Sequence, residues 1–385
     1  MVVDYESAFL WVFWAGVLFT FYTYLGYPLA LAVRRRLAAR PIRKDYRYTP
    51  SISFLIVAHN EEKVIRQKLD NTLALAYAGE RDIVVVSDGS TDRTNEIVAE
   101  FQGRGVRLVP DALRQGKARA VNDGLTACRG EIVLLSDARQ MYDTDAMREL
   151  VANFADPTVG GVTGDLQFQK PSTGASGEQI GLYWHYEKWI RRLQSDTDST
   201  PVVTGAIYAI RRALFRPLPV GVIADDLFIP MTIVQLGYRV VYDPSAKAYD
   251  YFQPSLQQEF RKRVRTISGS YQYVAVRPSV LSPFTNRIWF DFVSHKVCRI
   301  LAPFALMAVL VANVAINDWP YQLTLALQGG FYALAVLGAI RTRQAGTPTA
   351  KIIAVPYTFL MLNAVACVAF FKLATGAQTH LWEKQ

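Results

Sequence analysis

Residues from Ala8 to Val33, AFLWVFWAGVLFTFYTYLGYPLALAV, carry no charge at all. A run of that length exceeds the roughly 20 residues that an α-helix needs to cross a hydrocarbon core. A secretory signal is the rival reading, but its apolar region is shorter and follows basic residues. Here Asp4 and Glu6 precede the run, and Arg34, Arg35, Arg36, Arg40, Arg43 and Lys44 follow it. The run is therefore read as a spanning helix, with residue 34 onward on the cytosolic side.

Three more apolar runs come late, at 300–316, 321–340 and 352–373, joined by NDWPYQ and the basic RTRQAGTPTAK. One span before the middle of the chain and three after it place both termini outside. The segment from Trp289 to Val297 mixes aromatic and basic residues, as a helix lying in the membrane plane does. The resulting division is 1–44 for the first span and its basic flank, 45–280 for a cytosolic domain, and 281–385 for the interfacial segment and three spans.

The middle portion reads as alternating strands and helices. Apolar, β-branched runs at SISFLIVAH, RDIVVVSDGS, Val106–Val109 and Glu131–Leu135 alternate with charged helical stretches at 60–75, Asp92–Phe101 and Gly116–Ala127. That order predicts an α/β domain with a mainly parallel sheet covered by helices on both faces. Net charge is +9, and much of it lies beside the apolar runs, so it points to a membrane surface and acidic small molecules, not to nucleic acid. Cys128, Cys298 and Cys367 lack disulfide or zinc spacing, and His59, His185, His295 and His380 lack metal-ligand spacing.

In an open parallel sheet, ligands bind beyond the carboxyl ends of the strands. Polar clusters stand at such ends: His59-Asn60-Glu61-Glu62, Ser87 to Asp92, Ser136-Asp137-Ala138-Arg139, and Ala224-Asp225-Asp226 before a helix. Read singly, SDGSTD is a turn with a capping residue and Asp225-Asp226 a doubled helix cap. Read together, they bring carboxylates to one edge, where they repel unless a cation or proton compensates.

The segments SFLIVAHNEE, VVVSDGSTDRT, RQGKARAVNDGL, LLSDAR, TGAIYAIRR, DDLFIPMTIVQLGYRVVYDP and FRKRVRT follow one another in order. In that order the stretch from about Pro50 to Gln272 resembles the nucleotide-sugar-binding domain of inverting glycosyltransferase family 2. The match is to its membrane subgroup, related to cellulose, hyaluronan and poly-N-acetylglucosamine synthases. The resemblance implies a GT-A-like fold with transmembrane helices and a bacterial inner-membrane protein with its catalytic domain in the cytosol. It also implies a UDP-sugar donor, Mg²⁺ or Mn²⁺ as cofactor, and a saccharide or lipid-linked acceptor.

By position, the resemblance assigns Glu61 and Asp88, with Ala58 beside them, to the nucleoside, and Lys117 to the diphosphate. Asp137 matches the first carboxylate of an Asp-x-Asp metal motif whose last position is here Arg139, which would itself meet phosphate. Asp226 takes the place of the catalytic base and Asp225 that of the acid before it, on the acceptor side. The closing motif, normally Gln/Arg-x-x-Arg-Trp, reads Lys262-Arg263-Val264-Arg265-Thr266. Arg263 and Arg265 are expected at the diphosphate, while the indole that would stack on an acceptor is replaced by Thr266. Tyr183 and Trp184, with Tyr186 and Trp189, offer an aromatic surface for the acceptor or else a packing stripe.

The leading expectation is transfer, with inversion, from a UDP-sugar to a growing poly- or oligosaccharide. A polyprenyl-phosphate acceptor and a non-catalytic nucleotide-sugar-binding subunit are the alternatives. Four spans are few for a lone polymer channel, which leaves room for an oligomer or an export partner.

Overall fold

In β1 (Ile52–Ala58) all seven residues are buried, the mark of a strand covered on both faces. The computed structural model, which describes residues 5–169, 176–251, 256–343 and 351–376, has a separate apolar core on each side. Ile52, Phe54 and Ile56 share one core with Ile65 and Leu69 of the Ile65–Ala74 helix. Leu55 and Val57 share the other with Val121 and Leu125 of the Lys117–Ala127 helix, and with Leu227 and Phe228 of the Asp225–Gln235 helix.

The remaining strands are β2 (Arg81–Asp88), β3 (Val106–Asp111), β4 (Ile132–Asp137), β5 (Met141–Tyr142), β6 (Val159–Gln169), β7 (Tyr208–Arg211) and β8 (Arg239–Tyr251). They form one eight-stranded sheet in the order β3-β2-β1-β4-β7-β6-β8-β5. β3, β2, β1 and β4 run parallel, as does the β6–β8 pair. β7 runs against β4 and β6, and β5 against β8, so the sheet is mixed but mainly parallel.

Three local differences from expectation have physical causes. The helix expected from residue 60 begins only at Ile65. Asn60 sits at φ 55° with its Oδ1 accepting the Thr91 and Asp92 amides, a local bonding pattern that competes with a helical turn. The helix expected at 92–101 shortens to Thr94–Ala99, because the Asp92 carboxylate accepts the Thr94 amide and ends the preceding loop. β5 to β8 were not among the expected strands, although helices at Ala146–Ala152, Ser176–Thr197 and Asp225–Gln235 alternate with them. β5 and β7 are two and four residues long, and β6 pairs through a bulge.

Four helices are long and apolar enough to cross a membrane: Tyr5–Ala38, Trp289–Ala315, Trp319–Arg341 and Ile352–Ala374. One precedes the α/β domain and three follow it, and the chain is a membrane protein. The segment expected to lie in plane, Trp289–Val297, instead continues through a π-helical turn at Val293–Val297 into the Cys298–Ala315 helix. Much of the basic linker at 341–351 and nearly all of the tail at 375–385, whose sidedness was expected from charge, lie outside the described residues.

The spans grip the domain directly. Phe13 packs with Val309, Ala312 and Ile316, while Tyr27 and Leu31 pack with Ile190 and Leu193 of the Ser176–Thr197 helix. Val264 of the Leu256–Val276 helix packs with Val365 and Ala369 of the last span. Tyr271 on that helix also donates to the Ile300 carbonyl at 2.8 Å.

Candidate active site

The carboxyl ends of β1 and β4, the start of the Asp225–Gln235 helix and the Leu256–Val276 helix enclose one cleft. It holds ≈ 1020 Å³ of atom-free space out to where it opens to solvent.

Lys117, first residue of its helix, stands at the centre of the cleft's charge. Its Nζ lies 2.9 Å from Asp137 Oδ1 and 3.3 Å from Asp225 Oδ2. Burial disfavours the ammonium, but Asp137, Asp225 and Asp226 outweigh it and hold its pKa above the ordinary lysine value. Burial likewise opposes the Asp137 carboxylate, yet Lys117, Arg139 and Lys262 keep its pKa below the usual range. Asp226 behaves oppositely: burial and then the neighbouring Asp225 push its pKa up to about 6. A carboxyl poised there is ionised at neutral pH and still basic enough to take a proton.

Opposite the acids, Lys262, Arg265 and Thr266 line the cleft from one helix face, and Arg139 lines it from the end of β4. The Arg265 Nε is buried without a hydrogen-bond acceptor, an orphan donor suited to a phosphate oxygen. Arg263 does not join this row. Its guanidinium lies 4.9 Å over the Tyr183 ring, one helical step away from the face shared by positions 262, 265 and 266.

Two nucleoside contacts also need correction. Ala58 is 1 % exposed in the Ile52-side core, while Val57, on the other face of β1, lines the cleft. Asp88 is fully buried, and its carboxylate accepts the Gln115 amide at 2.6 Å and the Gly116 amide at 3.0 Å. It therefore fixes the turn that delivers Lys117 and does not itself line the cleft. Glu61 and His59 do line it, and His59 Nδ1 faces the Asp88 carbonyl at 2.6 Å.

Trp184 and Tyr186 of the aromatic stripe pack against the protein, while Trp189 stays 43 % exposed. Trp184 donates its Nε1–H to the Leu166 carbonyl at 3.1 Å and packs on Phe168. Tyr186 donates to the Tyr24 carbonyl of the first span at 2.7 Å. Neither Tyr183 nor Trp184 is among the described residues that line the cleft.

Sequence reading missed three supports. Lys68 is fully buried beneath β4, donating to Ser136 Oγ at 2.8 Å and to the Gln140 carbonyl at 2.5 Å, and so brackets the Asp137–Arg139 turn. Its signal was available, since it falls in the stripe Ile65, Lys68, Leu69, Thr72, where a lysine is out of place. Gln272 Oε1 accepts the Ile223 amide at 2.9 Å and its Nε2 donates to the Gly221 carbonyl at 2.8 Å, which clamps the loop before the acid pair. Gly269 lets the same helix approach, because a Cβ there would stand 2.4 Å from the Ala224 Cβ. Gly269→Ala should move Ala224, and Asp226 with it, and lower kcat about tenfold at near-normal donor affinity. Steady-state kinetics with a donor-binding measurement check this, and unchanged kcat would show that the contact relaxes without reaching the acids.

Among the described residues no group of three or more His, Cys, Asp or Glu could form a metal cage. Asp137 offers one hard oxygen donor facing the cleft, which fits a divalent cation of the kind held by one or two carboxylates plus substrate phosphates.

Residues 53–218 match the profile of the family described as Glycosyl transferase family 2. Curated relatives include the poly-beta-1,6-N-acetyl-D-glucosamine synthase of Staphylococcus epidermidis, 25% identical over 236 residues, covering 60% of this chain and 57% of the relative. The synthase of the same name from Staphylococcus aureus (strain COL) is 26% identical over 226 residues, covering 57% of this chain and 55% of the relative. The matched region thus spans little more than half the length of these relatives. Among solved structures, mannosyltransferase PcManGT from Pyrobaculum calidifontis, in complex with GDP-Man and Mn²⁺, superposes with a TM-score of 0.73 at 23% identity. That superposition covers 94% of this chain and 98% of that one. The fold is GT-A-like.

Proposed function

We propose that this chain, which carries a glycosyl transferase family 2 domain, transfers a hexose or N-acetylhexosamine with inversion from a UDP-sugar to a hydroxyl of a growing poly- or oligosaccharide. The observation that carries the reading is one cleft holding a half-buried carboxylate with a pKa raised to about 6 alongside Lys117, Lys262 and Arg265. Asp226 takes the proton of the acceptor hydroxyl as its oxygen bonds to the anomeric carbon. The bond from that carbon to the diphosphate breaks on the opposite face, and the nucleoside diphosphate departs toward Lys262, Arg265 and Arg139. A single base suffices, with no second carboxylate as nucleophile.

Asp137 would hold Mg²⁺ or Mn²⁺, which, when bound, offsets charge on the departing diphosphate. Lys117 keeps Asp137 ionised, and Lys68 and Asp88 hold the turns that present Asp137 and Lys117. The relatives named above make an N-acetylglucosamine polymer, which supports a saccharide product and a UDP-linked donor, while the GDP-Man in PcManGT makes the base of the nucleotide the first thing to test. The basic flank after the first span supports placing the cleft on the cytosolic side of the bacterial inner membrane.

The test is to incubate the protein in lipid with labelled UDP- and GDP-sugars and either Mg²⁺ or Mn²⁺, and to weigh the products. A sugar added from a UDP donor is the expected result. Turnover of GDP-sugars alone would overturn the donor assignment, and turnover of none would overturn the reading.

A further inference from the structure

The wall between the cleft and the membrane helices holds more positive charge than its own carboxylate answers. Glu187, on the Ser176–Thr197 helix, pairs with Arg299 and lies 3.2 Å from His295 Nε2. The other ring nitrogen of His295 faces the Gln194 amide nitrogen at 3.0 Å. With Nδ1 accepting from Gln194 and Nε2–H donating to Glu187, the imidazole is neutral, so the single charge of Glu187 is matched by Arg299 alone. Arg299 keeps two further guanidinium nitrogens, Nε and Nη2, buried without an acceptor.

Lys296 stands in the same helical turn as these groups, and among the described residues it makes no hydrogen bond or ion pair. The charged groups near enough to act on it are Glu187, Arg299, Arg191 and Asp226. Arg191 donates to Thr204 Oγ1, and Val203, the residue before, donates its amide to the Asp226 carbonyl at 3.0 Å. The Arg191 end of the basic group is thus tied through Thr204 and Val203 to the backbone of Asp226, the residue that carries the proposed base. Its two chief members sit on the Trp289–Ala315 helix, which runs on into the bilayer. Buried donors without acceptors recur where a ligand supplies the acceptors, and three cations beside two carboxylates favour an anion.

We propose that Lys296 and Arg299, with Arg191 behind them, form an acceptor subsite for the phosphate of a lipid-linked sugar presented from the membrane, placing a hydroxyl of that sugar at Asp226. This rests on the glycosyl-transfer reading and names its acceptor class. The acceptor oxygen bonds to the anomeric carbon of the donor, its proton passes to Asp226, the bond to the nucleoside diphosphate breaks, and the acceptor's own phosphate is unchanged. Cations on a membrane helix favour a lipid phosphate over a soluble sugar phosphate, because the phosphate of a lipid is held at that depth.

The test uses the full chain in lipid nanodiscs with three acceptors of one sugar: a prenyl-diphosphate-linked N-acetylglucosamine, soluble N-acetylglucosamine 1-phosphate and the neutral octyl glycoside. The lipid diphosphate is expected to have a kcat/KM at least tenfold above that of the other two. In Lys296→Gln that preference should fall at least tenfold, and in Lys296→Arg it should return. Independently of any variant, dodecyl phosphate should inhibit the wild type competitively with acceptor, whereas dodecyl glucoside should not. Equal use of lipid and soluble phosphate would overturn the lipid assignment. Equal use of the neutral glycoside, or a Lys296→Gln preference unchanged from wild type, would overturn the subsite. Nucleotide release by the wild type is measured alongside: its absence with every donor sinks the glycosyl-transfer reading, and its presence confines any failure to the subsite.

Discussion

Asp226→Asn lowers kcat by about 10²- to 10⁴-fold, the range that loss of a positioned general base produces. The amide matches the carboxylate in size but cannot take a proton. Donor affinity should stay near normal, because the cations of the cleft, Lys117, Lys262, Arg265 and Arg139, that would meet the diphosphate are untouched. The pH profile gives the same assignment a second reading. Burial first and Asp225 second raise the Asp226 pKa to about 6, and the working form is the ionised one. The kcat/KM of the wild type should therefore rise through about pH 6 and level off above it. Asp225→Asn removes the second cause and should move that limb to lower pH. A profile flat from pH 5 to 8, or an Asp226→Asn enzyme at wild-type kcat, would return the base to some other group. Absence of turnover in both proteins with every donor would instead favour a non-catalytic subunit.

The same physics separates what could be read in the chain from what could not. Strands buried on both faces are written as continuous apolar runs, so β1, β2 and β4 and the polar residues that end them stand out. This is why Asp137, Lys117 and Asp226 could be placed in one cleft before any coordinates. A continuous run has no polar alternation, however, and so does not say which face a given residue takes. Ala58, placed beside the nucleoside by the resemblance, takes the Ile52-side face, and Val57 is the residue of this pair that lines the cleft. On the Leu256–Val276 helix residues 262, 265 and 266 fall at i, i+3 and i+4, but Arg263 stands three residues before Thr266, so spacing alone did not exclude it and its packing on the Tyr183 ring does. Asp88 could not have been read, since its partners are backbone amides, and those leave no trace in residue identity. The aromatic stripe had two readings, and packing against Leu166, Phe168 and the first span decides it.

Lys117→Met makes the stability of the protein depend on divalent cations. In the wild type the ammonium is the nearest cation to Asp137 and Asp225, and Asp226 also feels it. Methionine keeps the length of the side chain and removes the charge, which leaves three acids in one cleft facing only the cations across it. Breaking a buried pair by deleting one partner costs about 3–5 kcal/mol. Asp137 is 39 % exposed, so solvent takes up part of that loss, and a net cost of about 2–3 kcal/mol is the expectation. In a chelator the unfolding midpoint of Lys117→Met should then fall by several degrees relative to wild type. Addition of Mg²⁺ or Mn²⁺ with a nucleoside diphosphate should recover more of the midpoint in the variant than it adds to the wild type. The cation then meets carboxylates that no longer have an ammonium to displace. Thermal unfolding in detergent, with and without metal, measures both quantities and needs no turnover. An equal response of the two proteins to the cation would remove Asp137 from its metal-binding role and leave the departing diphosphate to Lys262, Arg265 and Arg139 alone.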